Sequence, residues 1–443
     1  MTQGIRHNQQ AVSFLKEDNF LEKDPLFESK KKTIAAWDVG NDGLQRQTLD
    51  NEAVRTDLGE NEAGVGLDYP ESEFPVTVYP QGIGVGSVSL TKGIEDGDAL
   101  QDVDGYGHLI GACLAGTPLR QSGCTVAVAP GAVATAALTI TRPSVACEPA
   151  NAPLNINAKT FLSFEDKTAD NLGLGRVRTR PVLTAVDNDP NTDITLAMEL
   201  PLDFCTALDV GAKVYGGNTW PMSEEVQYTI QGDSIGARET QNYEFFGCQG
   251  NFTFPEAAVA EAQTTQFTLG IGAFDYKVAK AKVSGATARP RVSAGGEFLL
   301  ARYGQTQYLA LKILRINIDL ARTWTADPLG NEDDGVCGWV LTDQATRITL
   351  YVHDNETTPP GGSTTTFFDS FGPGGGGAEN HFHLFCSWGN RYVGDLVHFY
   401  APSIQQHADP VPTDIDEISA RQLTFSLRQG GPEGVNKIWV GQS

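Results

Sequence analysis

Residues 243–276 read Tyr243-Glu-Phe-Phe-Gly-Cys-Gln-Gly-Asn-Phe-Thr-Phe254, a small-residue connection, then Thr264-Thr-Gln-Phe-Thr-Leu-Gly-Ile-Gly-Ala-Phe-Asp-Tyr276. Phe252 and Phe254 alternate with Asn251 and Thr253, and Phe267 and Leu269 alternate with Gln266 and Thr268. A period of two gathers the apolar groups on one strand face, so the stretch predicts a half-buried antiparallel pair with those four residues inward. Gly247 and Gly250 flank Cys248, a pattern that marks a bulge or a close backbone approach. Residues 308–320, ending Ile316-Asn-Ile-Asp-Leu320, repeat the alternation, as do Gly338-Trp-Val-Leu341 and Ala345-Thr-Arg-Ile-Thr-Leu-Tyr-Val-His353.

In this order, the Gly247-Cys248 strand, the Gly272 to Phe274 hairpin end, the Ile316 to Leu320 strand, and Gly338 with Arg347-Ile-Thr-Leu350 resemble the tail tube proteins of long-tailed bacteriophages. The resemblance spans roughly residues 45–352. It implies a structural virion protein, not an enzyme and without a cofactor, whose subunits join sheets edge to edge in hexameric rings. Stacked rings form a hollow conduit for DNA ejection. The implied partners are further copies of the chain, a tape-measure protein inside, and terminator and baseplate proteins at the ends. DNA would pass without specific binding, and the chain would reside in the phage tail after assembly in the host cytoplasm.

Composition supports a β-rich, non-nucleic-acid-binding class. Lys plus Arg number 32 against 55 Asp plus Glu, a formal charge of −23, and phosphate binding rests on Lys and Arg. The 48 Gly and 23 Pro argue for many turns between short strands. No apolar run reaches the length of a membrane span and no charged-then-apolar leader opens the chain, so no membrane association is expected. Seven cysteines stand singly at 113, 124, 147, 205, 248, 337 and 386, and read as buried free thiols.

The expected fold is mainly β: an antiparallel sandwich or barrel with one packed helix, an N-terminal arm and long loops. Residues 1–43 read as the arm, with a short amphipathic helix over 11–21 ended by Pro25, positioned to dock on a neighbouring subunit. Residues 44–353 read as the core, with an insertion at about 145–240. Within it, 57–69 reads as a long acidic loop, 74–80 and 84–90 as strands, and 97–116 as the helix, stopped by Gly116-Thr-Pro118. Strands are expected at 125–129, 136–141, 159–164, 193–200 and 223–230, and a turn of helix at 203–209. Residues 354–443 begin with Gly/Pro-rich connectors and continue with strands near 381–388, 397–400, 421–427 and 437–440 that complete the core.

Asp96-Gly-Asp98 and Asp102-Val-Asp104-Gly105 resemble pieces of a calcium loop but lack its register and closing Glu, which favours a solvated acidic surface. His381-x-His383 after Gly375 matches the start of a cupin metal motif, yet Leu384-Phe-Cys-Ser-Trp388 follows where a Glu ligand belongs. Nucleophile-elbow, P-loop and zincin motifs do not occur, and Gly82-Ile-Gly-Val-Gly86 has no following helix. The alternatives to a tail tube are therefore another phage structural protein (capsid, head-completion or decoration) or a cupin-like metalloenzyme. For a conduit, an acidic wall would repel the polyanion it passes. Glu95, Asp96, Asp98 and Asp319 are its lumen candidates.

Overall fold

The computed structural model describes residues 11–35, 38–39, 46–49, 64–70, 73–80, 104–116, 118–120, 124–125, 137–141, 160–166, 176–187, 193–198, 213–224, 226–235, 242–258, 262–277, 291–292, 297–302, 308–309, 311–328, 336–354, 381–390, 395–407, 410–415, 417–427 and 438–442. Within them the protein is mainly β and antiparallel, organised around one 17-residue strand, Asn242–Ala258.

That strand serves two sheets. Its first part pairs with Ile230–Ile235 and Ala273–Lys277, with Tyr243 opposite Tyr276. Its second part pairs with Thr265–Gly270, with Phe252 opposite Phe267, and then with Ile313–Asp319. The change of partners falls at Gly247 and Gly250. Gly247 has φ +61°, a backbone that L side chains rarely adopt. At Gly250 an added Cβ would lie 2.0 Å from the Thr268 carbonyl oxygen. Phe252, Phe254, Phe267 and Leu269 are all buried, as their period of two requires.

The first sheet continues through Ala11–Lys16 to Lys32–Ala35. The second runs from Glu73–Val78 across Thr265–Gly270, the long strand, Ile313–Asp319 and Arg347–His353 to Ile418–Leu427. It then turns through Asp395–Gln406 to His381–Asn390 on one side and Trp439–Gln442 and Asn218–Pro221 on the other. The two sheets face each other across aromatic contacts: Phe245 of the first meets Phe74 of the second at 4.6 Å. Within the second sheet, which curls back on itself, Phe254 stacks on Trp388 at 4.8 Å. Buried aromatic pairs of this kind add to the burial of their own apolar area.

Between the sheets lies the helix Gly105–Leu114, every residue of it buried. It starts at Asp104, whose carboxylate accepts from the Gly107 amide at 2.7 Å and from Gln442 Nε2, and it ends at a left-handed Ala115. The aspartate read as part of a calcium loop is thus a helix cap, which holds one of the free amides of the first turn.

Several expectations need correction. The amphipathic helix over 11–21 is a strand, Ala11–Lys16, with Val12, Ser13, Phe14 and Leu15 all buried. Ala11–Lys16 and Lys32–Ala35 are thus paired strands of the first sheet, joined by residues 17–31. A four-residue helix, Phe27–Lys30, follows. The proposed loop at 57–69 contains strand from Gly64 onward. Residues 226–229 are irregular, and strand begins at Ile230. A separate six-stranded sheet is built from strands between Cys124–Thr125 and Lys213–Gly216, whereas Asn218–Pro221 and Ile230–Ile235 pair into the main sheets. The expected elements at 84–90, 126–129 and 203–209, and the first part of 97–116, lie outside the described residues.

This six-stranded sheet packs on the outside of the His381–Asn390 strand through Phe161, which touches Phe385 and Trp439. A buried ion group joins the two: Arg180 donates to both oxygens of Glu297 at 3.0 and 3.1 Å, and Arg178 donates at 2.9 Å. The pairing offsets the large desolvation cost of a buried charge.

Candidate functional site

At Asp319 the chain leaves the core. The Asp319 carboxylate accepts from the Ala321 amide at 3.0 Å and from the Thr253 hydroxyl at 3.3 Å, which fixes a turn with Ala321 at φ 46°. Beyond it, Arg322–Pro328 and Val336–Gln344 form a two-stranded ribbon. Among the described residues no third strand flanks this ribbon. Its base is closed on both strands: Ala345 N donates to Ala321 O at 3.0 Å, and the Thr346 hydroxyl to Leu320 O at 2.7 Å.

One row of side chains anchors the ribbon where the long strand changes sheets. Trp324 Nε1 donates to the Gly250 carbonyl at 2.8 Å, and Trp339 Nε1 donates to the Gly247 carbonyl. Arg322 lies over the Trp324 ring at 4.6 Å and donates to Cys113 O and Ser223 O. It so satisfies a carbonyl of the buried helix's last turn, where a cation also complements the helix dipole. Burial lowers its pKa to about 10, so it stays charged near neutrality. Gln227 Nε2 completes the seat with a bond to Trp339 O.

The alternate row faces outward. Thr323, Thr325, Asp327, Cys337, Val340, Thr342 and Asp343 are exposed, Val340 at 47 %. An unpaired strand edge offers free N–H and C=O groups to another strand, so chemically this ribbon is a binding element for an extended backbone. A polar cleft of about 460 Å³ opens at its base, lined among others by Glu224, Asp343, Gln344, Arg347 and His407.

The other candidates sit elsewhere. His381 and His383 are both buried on the His381–Asn390 strand. His383 Nδ1 lies 2.8 Å from the Tyr400 hydroxyl, and burial lowers its pKa to about 4. Glu297, Ser387 and His398 stand side by side on three neighbouring strands. That row resembles a hydrolase triad in composition, and Ser387 Oγ is 3.2 Å from His398 Nδ1. Its hydroxyl is buried, the imidazole lies against Phe161 and Phe385, and Glu297 is held by two arginines. The row joins two sheets and offers no access to a substrate. Glu28, Asp233 and Glu244 approach closely enough to share a cation, but Lys31 and Lys23 already occupy that place.

Of the lumen candidates, Glu95, Asp96 and Asp98 lie outside the described residues, and Asp319 is the half-buried turn residue at the ribbon base. Three described cysteines, 113, 248 and 386, are buried free thiols, whereas Cys337 is exposed on the ribbon. Sequence reasoning placed Gly338 to Leu341 in the sheet and missed the ribbon. Its signal was a single tryptophan in each strand, Trp324 and Trp339, among threonines and acids: enough apolar surface to seat one row and no more. Among the described residues no helix is long and apolar enough to cross a membrane. Comparison with protein-family models and with curated proteins finds no match for the chain.

Proposed function

We propose that the chain is a structural subunit that polymerises through its own strand edges, as a tail tube protein of the long-tailed-phage kind. The observation that carries the reading is the ribbon of Arg322–Pro328 and Val336–Gln344, seated on the core by two tryptophans and, among the described residues, with no third strand along its edges. A closed ring of subunits satisfies such edges without leaving an aggregation-prone end. In this reading hexameric rings stack into a tube, with the tape-measure protein inside and terminator and baseplate proteins at its ends.

The charge supports the same role. At −23, the subunit repels phosphate over roughly 8–10 Å at physiological salt, whereas a basic wall would hold DNA by counterion release. The buried histidines and thiols and the sealed Ser387 fit a scaffold better than a catalyst, and no enzymatic activity is proposed.

Electron microscopy of the purified protein tests the reading. Rings or tubes are expected. Closed shells would replace it with a capsid role, and compact particles binding a transition metal at His381 and His383 would replace it with the cupin-like one.

A further inference from the structure

The residue that seats the ribbon is also held through its amide. Gly247 O accepts from Trp339, and Gly247 N donates to Glu17 Oε1 at 2.7 Å. Glu17 is 3 % exposed. Its own amide donates to Thr229 O at 3.0 Å, so backbone and side chain together fix the start of the connection over 17–24. Phe20 and Leu21 of that connection fill the space that a Cβ on Gly247 would need, within 2.8 and 2.7 Å, and Leu21 takes φ 60° to do so.

Glu17 is a carboxyl group in a poor place for a charge. Oε2 has no hydrogen-bond partner of good geometry, and no cation among the described residues forms an ion pair with it. The charged groups nearby are engaged with one another. On its own connection Lys23 pairs with Glu244 of the long strand, and Lys31 pairs with Asp233 of the neighbouring strand. Lys16 lies over the Tyr228 ring, while Asp18 and Glu22 are exposed. Cys248 on the long strand is a buried thiol whose pKa the Glu17 charge helps to raise.

We propose that Glu17 is a proton-operated latch: neutral, it keeps the 17–24 connection seated on the Gly247 crossover, and ionised, it draws water in, lifts the connection and loosens the ribbon held by the same residue. The inference concerns the fold and stands whether or not the chain builds a tube. Desolvation raises the carboxyl's pKa from 4.5 to about 7, against smaller opposing contributions from the Gly247 amide, Thr229 and Leu21. The sign follows from linkage. Between about pH 4.5 and 7 the folded state holds a proton that the unfolded chain has lost, so this group's stabilisation is full at the acid end and fades as pH rises through 7.

Hydrogen exchange on the full chain and on Glu17→Gln, from pH 5.5 to 8.5 and corrected for intrinsic exchange, tests this. In the wild type, protection of segments 244–250 and 336–344 should fall about tenfold per pH unit up to 7 and level off above it, and in Glu17→Gln it should stay level. Equal pH dependence in the two proteins, or loss at 244–250 with no change at 336–344, overturns the latch. If the variant does not fold, carbon-13 titration of the wild-type Glu17 carboxyl decides. A midpoint near 7 supports the latch, and one near 4.5 refutes it.

Discussion

The long strand Asn242–Ala258 and the ribbon of Arg322–Pro328 and Val336–Gln344 are both antiparallel β-structure, joined to each other by two indole hydrogen bonds. They differ in what lies beside them. The long strand has partners on both sides over most of its length and buries Phe245, Phe252 and Phe254. The ribbon has one partly buried row and one exposed row. Stability should therefore be concentrated in the first region and capacity for association in the second, because burial stabilises folding while free edges recruit other strands.

The largest effect is expected inside the long strand. Phe252→Ala removes a ring packed against Phe254 and Phe267 and should cost about 3–5 kcal/mol, measured by denaturant unfolding. Unchanged unfolding would break the distinction at its stable end. Next comes the joint between the main sheet and the six-stranded sheet. Glu297→Gln removes the carboxylate charge that the fully buried Arg180 pairs with and should cost about 3 kcal/mol. Calorimetry should find that loss, and a variant as stable as the parent would mean that the ion group is dispensable.

The ribbon base comes third. Asp319→Ala deprives the Ala321 amide and the Thr253 hydroxyl of their acceptor and should cost about 1–3 kcal/mol. Exchange should rise in 322–344 before it rises in the long strand. If the two regions loosen together, the ribbon is not a separate unit. The smallest stability effect belongs to the exposed row: Val340→Lys should shift unfolding by less than about 0.5 kcal/mol. A large loss there would show that Val340 is buried in the folded subunit.

Much of the core was legible in the sequence because its strands are buried on one face. Phe252, Phe254, Phe267 and Leu269 alternate with polar neighbours, and so do Ile316, Ile318, Ile348 and Leu350. The first strand was misread for the opposite reason. Ala11–Lys16 lies beneath the buried helix and between two strands, so consecutive residues are buried and the period of two disappears. Asp104 was visible as an acid beside a glycine, but its role as a cap depends on the helix that follows it. The ribbon was the hardest to see. Its strands carry ordinary alternation, and only the tertiary fold decides whether a third strand lies alongside.

Sedimentation velocity of the wild type and Val340→Lys at matched, rising concentrations tests the central claim most directly. The account predicts rapidly sedimenting rings or tubes for the wild type, and a folded single subunit for the variant. A wild type that remains a single subunit at every concentration, or a variant that assembles as the wild type does, would contradict it.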